Sequence, residues 1–171
     1  TASGKSVNLS KSDGYSENAA VSASGNNVYV VWNDNSTGRS DIYFTKSTNG
    51  GVTFGTPQNL NAKSIAASGP NNSTSRTSYH DIDELDLSHS PNIFSLGDNL
   101  IYITWVGKID SPSISPFNKD VETNYDIFFT KSQDSGSTFS KPINLSNNYG
   151  ISTLPQLFAV YNLSLNSSSI P

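Results

Sequence analysis

The sequence predicts an all-β fold made of two antiparallel four-stranded units that repeat one another. Three observations carry this. Residues 41–60 read DIYFTKSTNGGVTFGTPQNL and residues 126–145 read DIFFTKSQDSGSTFSKPINL, with 12 of 20 positions identical at an offset of 85. Short segments rich in β-branched and aromatic residues recur along the chain, each bounded by Gly, Asn, Asp or Ser, as strands bounded by turns are. Nothing in the 171 residues reads as a long helix.

Each element follows in order. In the first copy NAAVSA (18–23) reads as strand A, VYVVW (28–32) as strand B, DIYFTK (41–46) as strand C and FGTPQNL (54–60) as strand D. In the second copy PNIFSL (91–96), IYITW (101–105), DIFFTK (126–131) and FSKPINL (139–145) fill the same places. SGNNVYVVW (24–32) is answered by LGDNLIYITW (96–105), with one extra residue. Eight residues separate Trp32 from Asp41, whereas 20 separate Trp105 from Asp126. The expected organisation is an N-terminal strand and first repeat over 1–61, an acidic insertion over 62–87, a second repeat over 88–147 and a C-terminal strand segment over 148–171. Trp32, Trp105, Tyr29, Tyr43, Phe44, Phe128 and Phe129 fall on these strands, where a two-faced sheet needs large side chains for its interior. A carbohydrate-stacking platform is the alternative use of such rings.

The turn between strands C and D is the most specific feature. It reads Ser47-x-Asn49-x-Gly51-x-Thr53-Phe54 and again Ser132-x-Asp134-x-Gly136-x-Thr138-Phe139. An Asn or Asp side chain accepts backbone N–H bonds a few residues on and closes the turn locally. Gly supplies the positive φ of the corner. The Ser and Thr hydroxyls can pair across the base, with Phe as a plug for the core. This pattern, S-x-D-x-G-x-[TS]-[FW], resembles the Asp-box (BNR) repeats of sialidase-like β-propellers, and the chain is similar to exported archaeal proteins that carry such repeats in tandem. The resemblance covers about two thirds of the chain and implies propeller-blade sheets. It implies little about activity, because Asp boxes lie on the blade rim, away from sialidase active sites. Asn49 keeps the acceptor of the preferred Asp and drops its charge.

The ends extend the pattern. KSVNLS (5–10) repeats the strand D ending of each copy, and NYGISTLPQLFAV (148–160) follows the second copy as a new strand A would. Two blades do not close a propeller, for which about four to eight are typical. Orphan strands expose unpaired backbone and invite pairing with another chain. The expected function is therefore a non-catalytic structural subunit that self-assembles into a homo-oligomer or homopolymer by strand exchange, with Leu154, Leu157, Phe158 and Val160 on the exchanged strand. The alternative is a carbohydrate-binding or adhesion module from a longer propeller.

Composition narrows the chemistry. The net charge is −4, from 14 acidic and 10 basic residues, with no Lys/Arg cluster, which disfavours nucleic acid as a partner. The longest apolar run, LIYITWV (100–106), is far short of the ~20 residues of a membrane-spanning helix. Without cysteine there is no disulfide, thiol nucleophile or thiolate metal site. A start at Thr1 fits a processed chain, and seven N-x-S/T sequons, at Asn8, Asn35, Asn71, Asn72, Asn144, Asn162 and Asn166, fit glycosylation of an extracellular or cell-surface protein.

An enzyme is not expected. Sialidases grip the substrate carboxylate with three arginines, and this chain has only Arg39 and Arg76. Its glutamates, Glu17, Glu84 and Glu122, stand in no recognisable catalytic context. There is no G-x-S-x-G, and His80 and His89 are the only histidines. The densest acidic stretch, YHDIDELDLSHS (79–90), admits three readings. It is a solvated loop or short helical turn, or Asp81, Asp83, Glu84 and Asp86 furnish oxygen ligands to a structural Ca²⁺, or His80, His89 and Asp residues hold zinc. It lacks the sixth-position Gly of an EF-hand.

Overall fold

The computed structural model of the chain describes residues 6–61, 90–110, 123–148 and 151–158. Among these there is no helix. Eight strands form two antiparallel sheets of four, each in simple chain order. The first sheet contains β1 (Ser16–Ser24), β2 (Asn27–Asp34), β3 (Asp41–Ser47) and β4 (Gln58–Asn59). The second contains β5 (Asn92–Leu96), β6 (Leu100–Asp110), β7 (Thr123–Ser132) and β8 (Ile143–Asn144).

The register places equivalent residues in equivalent places. Trp32 lies opposite Tyr43 and Trp105 opposite Phe128. Both pairs stack, with ring centroids 6.0 and 5.8 Å apart. Val31 lies opposite Phe44 and Thr104 opposite Phe129. The β6–β7 ladder runs on to Asp110 and Thr123, beyond the length of β2–β3, which takes up part of the longer insertion between Trp105 and Asp126.

The outermost strands differ from expectation. β4 and β8 are two residues long, not the seven of FGTPQNL and FSKPINL. Pro57 and Pro142 stand immediately before them and have no N–H to give a ladder. The residues ahead of each Pro close the turn, and Phe54 and Phe139 leave the strand path.

The core lies between the sheets. Tyr29, Val31, Ile42, Phe44 and Leu60 of the first meet Ile93, Ile101, Ile103 and Trp105 of the second, with Ala20, Phe128 and Phe139 packed at the margin. By register, all the first-sheet strand residues named share one face. The opposite face of that sheet carries Val21, Val28, Val30, Trp32 and Tyr43. Hydrogen bonds stitch the join. Ser22 Oγ and Ser95 Oγ lie 2.7 Å apart, and Ser95 N donates to Ser22 Oγ. Tyr29 OH donates to the Asp98 carbonyl at 3.3 Å, and Lys46 Nζ to the Ser135 carbonyl at 2.9 Å.

The chain after β8 does not form the expected strand over its described part. Ile151 makes one parallel bridge to Tyr125, and Ser152 N donates to the Tyr125 carbonyl at 2.7 Å. Pairing stops there. Leu154 takes a left-handed φ of 55°, and Pro155 next to it has no donor. Leu157 is half-buried and Phe158 exposed, while Val160 lies outside the described residues. Residues 6–10 are likewise not a strand, yet Asn8 Oδ1 accepts from Lys11 N as Asn144 Oδ1 accepts from Asn147 N. The likeness between KSVNLS and the strand D endings is one of turn geometry.

Candidate functional site

The two turns that follow strand C are closed by dense local hydrogen bonding. In each, one side-chain oxygen does most of the closing. Asn49 Oδ1 accepts from Ser47 Oγ (2.8 Å) and Thr53 N (2.9 Å). Asp134 Oδ1 accepts from Ser132 Oγ (2.7 Å), Ser137 N (3.0 Å) and Thr138 N (2.8 Å). The serine hydroxyl, its proton committed, accepts in turn from the glycine: Gly51 N to Ser47 Oγ at 2.9 Å and Gly136 N to Ser132 Oγ at 2.8 Å. Ser and Thr therefore bond to the Asn or Asp between them and not across the base to each other. Gly51 and Gly136 have φ of 85° and 75°, the left-handed corner that glycine adopts without strain. Asp134 is exposed, but hydrogen bonds from the Thr138 hydroxyl and amide, and from Ser132, hold its carboxyl well below the usual carboxylate range.

The sequence reading missed a second paired device. Asp41 and Asp126, the first residues of DIYF and DIFF, are both buried. Each accepts from an asparagine 18 residues on: Asn59 Nδ2 to Asp41 Oδ2 at 2.7 Å, and Asn144 Nδ2 to Asp126 Oδ2 at 2.6 Å. The signal was present, since Asp and Asn are among the identities of the repeat. These bonds tie the start of strand C to strand D where the ladder is too short to do so. Thr37 Oγ1 adds a donor to Asp41, and Ser146 Oγ adds one to Asp126. Arg39 Nε stands 3.2 Å from Asp41 Oδ1, but that oxygen has no aligned hydrogen bond. Burial would raise the Asp126 carboxyl, but the bonds from Asn144, Ser146 and Asn148 outweigh it and lower it.

A third carboxylate closes the start of the first sheet. Asp34 Oδ2 accepts from Ser12 Oγ and Ser16 Oγ, both at 2.7 Å, and its Oδ1 from Ser36 N at 2.9 Å. Burial opposes its ionisation, yet these donors win and bring it to about 2.

The other expected site residues are scattered. Asn8 and Asn35 are exposed, and their Oδ1 atoms accept local bonds. Asn144 is half-buried, and the nitrogen that a glycan would occupy is the one that donates to Asp126. Asn71, Asn72, Asn162 and Asn166 lie outside the described residues, as do Asp81, Asp83, Glu84 and Asp86. Among the described residues no three His, Asp or Glu side chains gather as a metal ion would require. No described helix is long and apolar enough to cross a membrane.

Comparison with protein-family models, curated proteins and solved structures finds no match. The resemblance to Asp-box repeats therefore rests on the two turn motifs of the sequence.

Proposed function

We propose that the chain is a non-catalytic, extracellular structural module, built of two blades of the sialidase-like Asp-box type, whose copies associate with one another. The observation that carries this is the use made of its carboxylates. Asp34, Asp41, Asp126 and Asp134 each take at least two hydrogen bonds from their own chain, and each closes a turn or ties two strands. Hydrogen bonds lower the carboxyls of Asp34, Asp126 and Asp134 further from neutral, and a carboxylate engaged this way is a poor general acid or base. The same groups are well suited to a rigid repeated scaffold.

The test is the mass of the purified chain by light scattering across a wide concentration range, with turnover of a sialoside measured on the same material. Multiples of 18.3 kDa without turnover are expected. A strict monomer at every concentration would refute association, and turnover would refute the non-catalytic reading. Deleting residues 148–171 asks whether the terminal segment is the means of assembly. A chelator asks whether Ca²⁺ at Asp81, Asp83, Glu84 and Asp86 supports it.

A further inference from the structure

The join between the two sheets is a template for a join that the described residues leave open. At the internal join, Phe139 of the second sheet sits edge-on against Phe44 of the first, centroids 4.8 Å apart at 71°. Phe44 is stacked on Tyr29 at 6.2 Å, so this pair forms the seat and Phe139 the plug. Because the sheets repeat, each half of this arrangement exists twice. The second sheet carries the same seat on its opposite face, Tyr102 stacked on Phe129 at 6.0 Å and 22°. Among the described residues no third ring joins it. The first sheet carries the same plug, Phe54, half-buried beyond Val28 on its own opposite face.

Part of the surroundings repeats, although Phe94 and Ala23 stand where Ser22 and Ser95 pair at the internal join. Ile93, 7 % exposed at the internal join, corresponds to Val21, which is 65 % exposed on the free face of the first sheet. Lys46, whose ammonium donates to a carbonyl in the neighbouring turn, corresponds to Lys131, which is exposed on the free face of the second.

From this we infer that a second copy of the chain docks head to tail, its Phe54 face covering the Tyr102–Phe129 face of the first. The inference rests on the reading of the chain as a self-associating module, and it assigns the contact to sheet faces and not to exchanged terminal strands. The partner is a second copy because the free plug and the free seat are the two halves of one interface already built within the chain. Such a contact is heterologous, so it closes into a ring or runs on as a filament. Closed propellers take about four to eight sheets, which is roughly two to four copies.

The two variants that test this stand at exposed positions, so the fold should survive them. Val21→Glu puts a charge on the free face of the first sheet, where the equivalent Ile93 is buried. Ile143→Glu does the same beside Phe129 on the second sheet; Ile143 is 53 % exposed and occupies the place of Gln58, which reaches the Gly136 carbonyl. Circular dichroism and the thermal midpoint confirm folding of each. Light scattering should show each variant alone as a monomer where the unaltered chain is associated, at least a tenfold weakening. Mixed one to one, the two should form a discrete heterodimer, because each retains the half that the other has lost. Association that persists in both variants, or a mixture that stays monomeric, overturns the face-to-face contact while leaving self-association standing. A monomeric unaltered chain overturns both.

Discussion

The turns at 47–54 and 132–139 have the same backbone and different chemistry. Asn49 takes a bond from Ser47 and gives one, from Nδ2 to Thr53 Oγ1 at 2.8 Å. Asp134 only takes, and Thr138 Oγ1 donates to its Oδ2 at 2.6 Å. The threonine hydroxyl turns around to suit its partner. What both turns hold fixed is the first oxygen, with its serine hydroxyl and threonine amide. The pattern therefore needs one acceptor in one place, and the atom beside it is negotiable because a hydroxyl both donates and accepts.

Their surroundings differ too. A Cβ built on Gly136 would meet the Phe44 ring at 2.5 Å, whereas on Gly51 the nearest atoms, in Phe54 and Val28, are 4.0 Å away. One turn is pressed against a neighbouring sheet. The other has no described residue of a neighbouring sheet against it, and the difference marks where the described stack ends.

The equivalence of the two repeats breaks hardest at strand C. Asp126→Ala would strand the Asn144 amide and the Ser146 hydroxyl, at a cost of about 2–4 kcal/mol in urea unfolding. Asp41→Ala should cost a similar amount through Asn59 and Thr37. Near-neutral effects would show that the carboxylate–asparagine ties are ornamental. Next come the glycines. Both carry positive φ, so Ala at either costs about 1–2 kcal/mol of backbone strain. Gly136→Ala adds the clash with Phe44, for a total of about 3 kcal/mol or more, and equal losses would contradict the asymmetry.

A smaller effect is expected from acid. The Asp34 carboxyl is lowered to about 2 in the fold, below its ordinary value near 4 when unfolded. Its contribution is complete above about pH 4 and is lost as pH falls through 2; Asp126 and Asp134 act in the same direction. Thermal midpoints recorded from pH 6 to pH 2 should fall chiefly below pH 4, and Asp34→Asn should flatten that fall. Smallest of all, Asn49→Asp should raise the midpoint slightly at pH 7, and Asp134→Asn should lower it. Changes in the opposite sense would mean that the charge at this position is not what tightens the turn.

The turns were legible because everything that closes them lies within eight consecutive residues. The two-sheet, all-β organisation followed from the repeat and from segments such as VYVVW and IYITW. Strand D was overread, because FGTPQNL and FSKPINL look extended while their Pro forbids a long ladder. Over residues 151–158 the terminal strand was overread for the same reason: apolar alternation around Leu154 and Phe158 hides Pro155. The Asp41–Asn59 and Asp126–Asn144 ties were written in the identities but span 18 residues, and only the register of β3 against β4 and of β7 against β8 brings them together. Which face of each sheet meets the other was not legible, since both faces are apolar. Phe139 against Phe44 decides it.

The Asp134 turn has one more consequence. Its negative charge is answered by neutral hydroxyls and amides, as are those of Asp34 and Asp126, and a single ion pair, Arg39 with Asp41, occurs among the described residues. Dissolved salt weakens attraction between opposite charges, and at about 1 M it does so beyond roughly 3 Å. It has little hold on a carboxylate bound by short contacts to groups that carry no charge. This scaffold should therefore keep its shape in brine.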